Sequence, residues 1–182
     1  MAREQKKPSL DGEDAIFLKA KNDALRLLSF RPRSTSELRK RLKIKKYPDE
    51  ITNKVVDIFT KTGLLDDRKF AKLFANSRIY TRPTGRRRLE FDLKKSGVSE
   101  SVASETLAGL GDYDEKNTAK ELVRNRFARM TGLSDEKKKA RIFGFLQRRG
   151  FSSSVIFTVL SELFSAEGGS ASGGKEIEID ES

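Results

Sequence analysis

A pattern of six apolar positions occurs three times along the chain with the same internal spacing. The second copy lies 51 residues after the first, and the third lies 53 residues after the second. The eighteen residues are Leu38, Leu42, Tyr47, Ile51, Val56 and Phe59; Leu89, Leu93, Val98, Val102, Leu107 and Leu110; Ile142, Leu146, Phe151, Val155, Leu160 and Leu163. Apolar and aromatic residues make up only 36% of the chain. The pattern therefore predicts three similar repeats, each stabilised by packing on its neighbour.

The spacing within each copy is helical, and breaks in the pattern divide each copy into three helices. The sequence predicts helices over 16–29, 34–45, 48–62, 66–80, 86–95, 99–110, 135–149 and 152–164. The first helix of the third repeat is predicted to hold Ala119, Leu122, Val123, Phe127 and Met130. In the fourth helix we expect Phe70, Leu73, Phe74 and Ser77 to form the buried stripe. Because no useful length alternates with a period of two, no strand is predicted.

The predicted fold is therefore all-α, with three tandem three-helix repeats forming an elongated, curved body. The repeats are placed at 15–62, 63–111 and 112–164. Disordered segments are expected at 1–14 and at 165–182, where a Gly/Ser-rich stretch leads into acidic residues.

Turn residues mark the helix ends inside each repeat. Ser34 with Glu37 is typical of a capping box, and Ser99 is a predicted N-cap. Gly97 and Gly150 occupy the same repeat position and are predicted left-handed C-caps. The first repeat has Lys46 there, so either this lysine takes the left-handed conformation at a cost or the turn differs.

Composition excludes several kinds of chemistry. The chain has no Cys and no His, which excludes disulfides, the usual zinc sites and imidazole-based catalysis. No apolar stretch is long enough to span a bilayer, and residues 1–14 lack the apolar core of a signal peptide. We expect a cytoplasmic protein with no membrane attachment and no cofactor or metal.

Positive charge is concentrated in the repeats. The net charge is +11, of which the three repeats contribute +8, +4 and +4, whereas residues 165–182 contribute −4. Basic residues recur on and near the second helix of each repeat. The candidates for binding a phosphate-rich partner are Arg39, Lys40, Lys43, Arg78, Arg82, Arg86, Arg87, Arg88, Lys94, Lys95, Lys138, Arg141, Arg148 and Arg149. The alternative is that these are ordinary solvated helix faces.

Three other patterns favour structural over functional interpretations. The second and third helices of each repeat could form a helix-turn-helix, but the third helices start with acidic or serine residues that do not suit base reading. The acidic pair Asp66 and Asp67 is interpreted as capping a helix rather than binding a metal. The aromatic residues at helical core spacing, interpreted as packing residues, are Phe70, Phe74, Phe127 and Phe151, whereas Tyr80 and Phe91 lie off the apolar stripe and are the better candidates for stacking on bases.

Several segments resemble the RecX family of regulatory proteins, over about residues 20–164. The residues that carry the resemblance are Gly63-Leu64-Leu65-Asp66-Asp67-Arg68-Lys69-Phe70-Ala71; Ala24-Leu25-Arg26-Leu27-Leu28, Arg31-Pro32-Arg33-Ser34 and Glu37-Leu38; Gly85-Arg86-Arg87-Arg88-Leu89 and Leu93-Lys94-Lys95-Ser96-Gly97-Val98; and Phe145-Leu146-Gln147-Arg148-Arg149-Gly150-Phe151. Lys46 departs from the family, whose turn usually has Gly, and the acidic tail is not part of the family pattern.

The resemblance implies a monomeric, non-enzymatic regulator that binds in the groove of the RecA–DNA filament. Family members usually limit the growth and activities of that filament in DNA repair and recombination and in the SOS response. The partners would be the RecA recombinase filament and single-stranded or double-stranded DNA within it. The residues alone leave open a protein that binds DNA or RNA directly through its basic helix faces. An acidic tail on a basic body is also expected to compete weakly with a polyanionic partner.

Overall fold

The computed structural model describes residues 12–111 and 113–168, which contain nine α-helices and no strand. The helices are α1 (Gly12–Phe30), α2 (Thr35–Ile44), α3 (Asp49–Lys61), α4 (Asp67–Thr81), α5 (Arg86–Lys95), α6 (Glu100–Ala108), α7 (Glu115–Ala128), α8 (Asp135–Arg148) and α9 (Ser153–Gly168). In the described residues the helices follow one another as three groups of three, α1–α3, α4–α6 and α7–α9, so the all-α, three-helix-repeat prediction is confirmed.

The recurring apolar positions form the interior of the protein. None of the eighteen is exposed: thirteen are buried, and Tyr47, Val102, Leu107, Val155 and Leu163 are half-buried. Removing these side chains from water supplies most of the stabilisation that each small repeat needs.

The chain divides into two compact units, and the division passes through α4 and α5. Among the described residues, unit 1 comprises 12–77 and 90–109, and unit 2 comprises 78–89, 110–111 and 113–168. The second repeat therefore contributes helical residues to both units. The first repeat lies within unit 1 and the third lies within unit 2, so only the second repeat is divided.

Unit 1 contains two apolar clusters. The larger is formed by α1, α2 and α3 and includes the fully buried Leu38, Leu42 and Phe59. Leu65, which follows α3, also belongs to it. The smaller cluster joins Phe70 and Ala71 of α4 to Leu93 of α5, Ala103 of α6 and Val98 in the turn between those two helices.

Unit 2 contains one large cluster between α7, α8 and α9. Ile142, Leu146 and Phe151 are its largest fully buried residues from the repeating pattern. Phe127 of α7 meets Phe164 of α9 edge to face, with ring centroids 5.3 Å apart. This contact fixes the C-terminal half of α9 against α7.

The predicted buried stripe of α4 needs a correction. Phe70 is buried and Phe74 half-buried, but Leu73 is 57% exposed and Ser77 is also exposed. Ala71 and Ala75 are fully buried instead. The helix packs its small alanines against the interior, and Leu73 lies on the exposed side. The prediction was wrong because it placed the larger apolar side chain inside.

The two ends of the helical region also differ from the prediction. Helix α1 begins at Gly12, with Glu13 and Asp14 in its first turn, where acidic side chains favour the helix dipole. Helix α9 continues to Gly168, four residues beyond Phe164. The rest of the two segments predicted to be disordered, residues 1–11 and 169–182, lies outside the described residues.

Within the described part of the chain, no helix combines the length and the apolar character needed to cross a bilayer.

Candidate functional site

The second helix of a repeat begins at a contact with the following repeat, and we call this contact the repeat joint. In unit 1, the Ser34 hydroxyl accepts from the Glu37 N–H (3.0 Å) and donates to the Ser96 carbonyl (2.5 Å). The Thr35 N–H donates to Oδ1 of Asp67, the first residue of α4, at 2.7 Å. The N-terminus of α2 is therefore capped partly by its own serine, as predicted, and partly by the next repeat.

Unit 2 repeats this arrangement at the start of α5. The Gly85 N–H donates to the Arg149 carbonyl (2.9 Å), which also accepts from the Thr84 hydroxyl (3.1 Å). The Arg86 N–H donates to Oε1 of Glu115, the first residue of α7, at 3.0 Å. In both units, the acidic residue that begins a first helix caps the second helix of the preceding repeat.

The repeat joint explains where the chain needs glycine. Gly97 and Gly150 have φ of 82° and 81°, as their predicted C-cap role requires. In addition, a Cβ on Gly97 would overlap the Ser36 side chain, and one on Gly150 would overlap Arg88. Lys46 takes the left-handed conformation, with φ of 64°, and it is exposed. The first of the two alternatives for Lys46 is therefore the one observed.

The acidic pair at the start of α4 caps two helices. The Asp66 carboxylate accepts from the Arg68 N–H (2.9 Å) and the Lys69 N–H (3.0 Å) of its own helix. The bond from the Lys69 amide contributes most to holding the pKa of Asp66 below its ordinary value. Asp67 caps α2 instead. No cluster of three or more potential metal ligands occurs among the described residues.

The basic candidates of the first repeat differ in their surroundings. Lys40 and Lys43 are exposed, and Lys43 pairs with Asp49 at 2.9 Å. Arg39 is half-buried, and its Nε has no hydrogen-bond partner within the described protein. Lys40 and Lys43 therefore have side chains accessible to a partner.

In the second repeat, neighbouring arginines have different roles. Arg82, Arg87 and Lys95 are exposed. Arg86 is turned into unit 2, where its guanidinium lies 3.9 Å from the Glu115 carboxylate and 5.8 Å from the Tyr113 ring centroid. It also donates to the Tyr113 carbonyl at 3.5 Å. Arg86 thus contributes to the fold.

Arg78, Arg88 and Lys94 complete the second-repeat candidates. Arg78 is half-buried, and Arg88 is exposed with its backbone close to Gly150. Lys94 lies 2.7 Å from Glu100 and 2.8 Å from Glu90, and the hydrogen bond to Glu100 is the main cause of its raised pKa.

In the third repeat, Arg141 and Arg148 are exposed, whereas Lys138 and Arg149 are half-buried. Lys138 lies 3.7 Å from Asp135 and 5.3 Å from the Phe127 ring centroid. Arg149 donates to the Pro83 carbonyl at 3.1 Å and stacks over Phe145. Arg149 therefore stabilises the repeat joint of unit 2.

An open groove of about 900 Å³ lies between α7 and α8, and we call it the arginine groove. Its lining residues are Leu122, Asn125, Arg126, Arg129, Met130, Ala140, Arg141, Gly144, Phe145 and Arg148. The Arg126 guanidinium lies 4.5 Å from the Phe145 ring centroid. Sequence reasoning missed Arg126, in the last turn of α7, and Arg129, its C-cap, although their i, i+3 spacing places them on one side of the helix end.

The aromatic candidates for stacking are accessible. Tyr80 is 87% exposed and Phe91 is 55% exposed. Phe70 and Phe151 are buried, and Phe74 and Phe127 pack against the apolar clusters, as their core spacing predicts.

Comparison with known proteins gives the same three-part division of the chain. Models of the first, second and third three-helix domains of RecX match residues 20–57, 66–107 and 113–160, respectively. The regulatory protein RecX of Mycolicibacterium smegmatis is 38% identical over 146 residues, which are 78% of this chain and 78% of that protein. The regulatory protein RecX of Thermobifida fusca is 35% identical over 153 residues, covering 84% of this chain and 83% of that protein.

Two solved structures share the fold. The crystal structure of RecX from Lactobacillus salivarius superposes with a TM-score of 0.76 and 22% identity, over 84% of this chain and 99% of that one. A second crystal structure of a regulatory protein RecX gives a TM-score of 0.73 and 24% identity, over 85% of this chain and 81% of that one.

Proposed function

Because the chain belongs to the RecX family of regulatory proteins, we propose that it binds in the groove of the RecA–DNA filament and limits recombinase activity. It acts in the cytoplasm, during DNA repair and recombination. Its partner is the nucleoprotein filament, and it performs no catalytic step.

The observation that carries this proposal is the recurrence of accessible basic side chains on or beside the second helix of every repeat. Lys40 and Lys43 in the first repeat, Arg87 and Lys95 in the second, and Arg141 and Arg148 in the third are all exposed. A filament presents phosphates and acidic side chains at regular intervals. Recurring cations on one chain can bind several such groups together, which raises affinity without any single strong contact.

Regulation by binding needs no reactive side chain. A protein that binds one state of a filament more tightly than another shifts the population toward that state. The absence of Cys and His from the sequence is compatible with this mode of action. The exposed arginines and lysines are suited to binding anions rather than to acid–base catalysis.

A competition experiment tests the choice of partner. A fluorescent single-stranded DNA is titrated with the protein at one salt concentration, either naked or coated with RecA. We expect tighter binding to the coated DNA and a slower rate of strand exchange in the presence of the protein. Equal affinity for both forms would favour the alternative, in which the protein binds DNA or RNA directly.

Charge reversal tests the basic faces. The variant Arg87→Glu/Lys95→Glu should bind the filament at least tenfold more weakly, about 1.4 kcal/mol, with a shallower salt dependence. The control Lys61→Glu/Lys72→Glu changes the net charge equally at exposed positions of α3 and α4. It should bind nearly as well as the parent protein. Equal losses in both variants would contradict a role specific to the second helices.

Arg86 is excluded from this variant because it contacts Tyr113 and Glu115. Reversing its charge would place two carboxylates together and destabilise unit 2. A weaker binding of Arg86→Glu could therefore not be assigned to the interface.

A further inference from the structure

The arginine groove is a strongly cationic surface in unit 2. Arg126, Arg129, Arg141 and Arg148 line it and are all exposed. Among the described residues that line the groove, none is acidic. Four like charges around one concave surface repel one another, and a ligand that carries several carboxylates relieves this repulsion.

The groove also has an apolar component. Leu122, Met130 and Phe145 line it and are half-buried, and Gly144 on α8 adds no side chain. A ligand that alternates carboxylates with aliphatic side chains therefore fits this surface better than one that carries charge alone.

The chain itself contains such a ligand beyond α9. Residues 175–182 read Lys-Glu-Ile-Glu-Ile-Asp-Glu-Ser, in which Ile177 and Ile179 alternate with Glu176, Glu178 and Asp180. In an extended segment, successive side chains point to opposite sides. The carboxylates of this segment can then face the arginines while the isoleucines face the apolar lining. Between Gly168 and this segment lie only Gly, Ser and Ala residues.

The distance between α9 and the arginine groove is short. Ser165 of α9 and Ala140 of α8 line the same neighbouring groove, and Ala140 also lines the arginine groove. The C-terminal part of α9 and the arginine groove are therefore separated by about one helix diameter, roughly 10 Å. Seven residues lie between Gly168 and Glu176, and the eight steps that join the two can span roughly 26 Å when the chain is extended. The acidic segment can reach the groove of its own chain.

We propose that residues 176–181 bind the arginine groove of the same chain and so mask part of the basic surface. A tether of this length gives an effective concentration in the millimolar range. Even a weak contact is therefore substantially occupied at low salt, and it is released as salt screens the charges. If the proposed function holds, a polyanionic partner must displace this segment, which lowers the apparent affinity at low salt.

A paramagnetic label locates the segment in the full chain. Because the chain has no cysteine, Ser182→Cys provides one attachment site for a nitroxide. We expect the amide signals of Arg126, Arg129, Gly144 and Arg148 to lose more than half of their intensity at low salt. Signals from the first repeat should keep their intensity, and the groove signals should recover in about 0.5 M salt. Broadening spread evenly over all basic helices would overturn the proposal.

Two variants test the chemistry of this contact. Glu176→Gln/Glu178→Gln/Asp180→Asn/Glu181→Gln removes the charge of the segment, and Arg129→Gln/Arg141→Gln removes half of the guanidiniums. Each should abolish the broadening. The control Lys72→Gln/Lys137→Gln removes two exposed charges that do not line the groove, and it should leave the broadening unchanged. Broadening that persists in the two test variants would contradict the proposal.

A mixed sample decides whether the contact lies within one chain. Isotope-labelled protein without nitroxide is combined with nitroxide-carrying protein that has no isotope label. Broadening of the groove signals in this sample would show that the segment occupies a second copy, which would overturn the proposal. None of these measurements uses DNA or RecA, so their outcome is independent of the proposed function.

Discussion

Lys46 and Gly97 occupy the same position in successive repeats but have different neighbours. Both residues have positive φ, 64° for Lys46 and 82° for Gly97. A Cβ on Gly97 would overlap the side chain of Ser36, which belongs to the preceding repeat. Lys46 is exposed. A side chain is therefore tolerated at Lys46 at the cost of backbone strain alone.

Glycine substitutions at two lysines separate this strain from ordinary helix propensity. Lys46→Gly should raise the free energy of unfolding by about 0.5–1 kcal/mol, because glycine adopts positive φ without a Cβ clash. Lys40→Gly, inside α2, should lower it by about 1 kcal/mol. Gly97→Ala should lower it by about 2 kcal/mol or more, because strain and overlap add. Urea denaturation measures all three. A loss of stability in Lys46→Gly would show that the left-handed conformation is not strained.

At the scale of helices, each repeat joint contains an acidic residue of one repeat that caps a helix of the preceding repeat. Asp67 accepts from the Thr35 N–H at 2.7 Å, and Glu115 accepts from the Arg86 N–H at 3.0 Å. Both acids begin the first helix of a repeat and satisfy an amide that the preceding repeat leaves unpaired. The Gly-Leu-Leu-Asp-Asp segment therefore combines a buried leucine, Leu65, with caps for α4 and α2.

Removing the Asp67 cap tests this contact. Asp67→Ala should lower the free energy of unfolding by about 1 kcal/mol, since the Thr35 amide and the N-terminal dipole of α2 lose their acceptor. Asp67→Asn keeps an oxygen acceptor and should recover part of the loss. Thermal unfolding followed by circular dichroism measures both variants. Identical stabilities of the alanine variant and the parent would contradict a capping role.

A second link between elements involves Tyr47, which donates to the Asp23 carboxylate of α1 at 2.8 Å. Burial, followed by the hydrogen bond to Asp23, raises the pKa of Tyr47 to about 12. The unfolded chain ionises this phenol near pH 10. The stability that Tyr47 contributes is therefore complete below pH 10 and decreases as the pH rises to about 12.

Tyrosine-to-phenylalanine variants measure this pH dependence. The stability difference between the parent and Tyr47→Phe should shrink between pH 10 and pH 12 in urea denaturation. Tyr80 is 87% exposed, so Tyr80→Phe should follow the parent throughout. A difference for Tyr47→Phe that stays constant over this range would contradict the raised pKa.

At the scale of the whole chain, each unit has its own apolar core, and that of unit 2 includes Phe164. A chain ending at Gly168 keeps all of α9 and loses one lysine and four acidic residues. Its melting temperature at about 0.15 M salt should stay within about 2 °C of the parent, because all the residues of the apolar clusters, Phe164 included, are retained.

A chain ending at Ser161 provides the contrasting case. It lacks Leu163 and Phe164, and so loses the edge-to-face contact with Phe127. We expect unit 2 to be destabilised by about 3 kcal/mol or more. Differential scanning calorimetry distinguishes the two truncations. A large loss of stability in the chain ending at Gly168 would show that the segment beyond α9 is needed for the folded state.

The sequence alone predicts the helices, the eighteen interior positions and the left-handed turns. These features depend on local spacing, on caps such as Ser34 and on the conformational freedom of glycine, all of which can be read within one repeat. Leu73 shows the limit of this reasoning, because the elements that pack on a helix, and not the size of its side chains, decide which face is buried: α4 buries Ala71 and Ala75 and exposes Leu73. Arg86 and Arg87 are adjacent in one basic run, but Arg86 contacts Tyr113 and Glu115 whereas Arg87 is exposed. Only the folded positions of Tyr113 and Glu115 show that Arg86 has a structural role and that Arg87 is accessible to a partner.

What the chain by itself determined is thus the repeating all-α pattern and its positive charge. Tertiary structure decided which charges face solvent, where the repeats meet and which residues line the arginine groove. The physical reason is the range of the interactions involved. Helix formation and capping act over three or four residues, whereas Asp67 reaches Thr35 and Arg126 is brought beside Phe145 only when helices from different parts of the chain have packed.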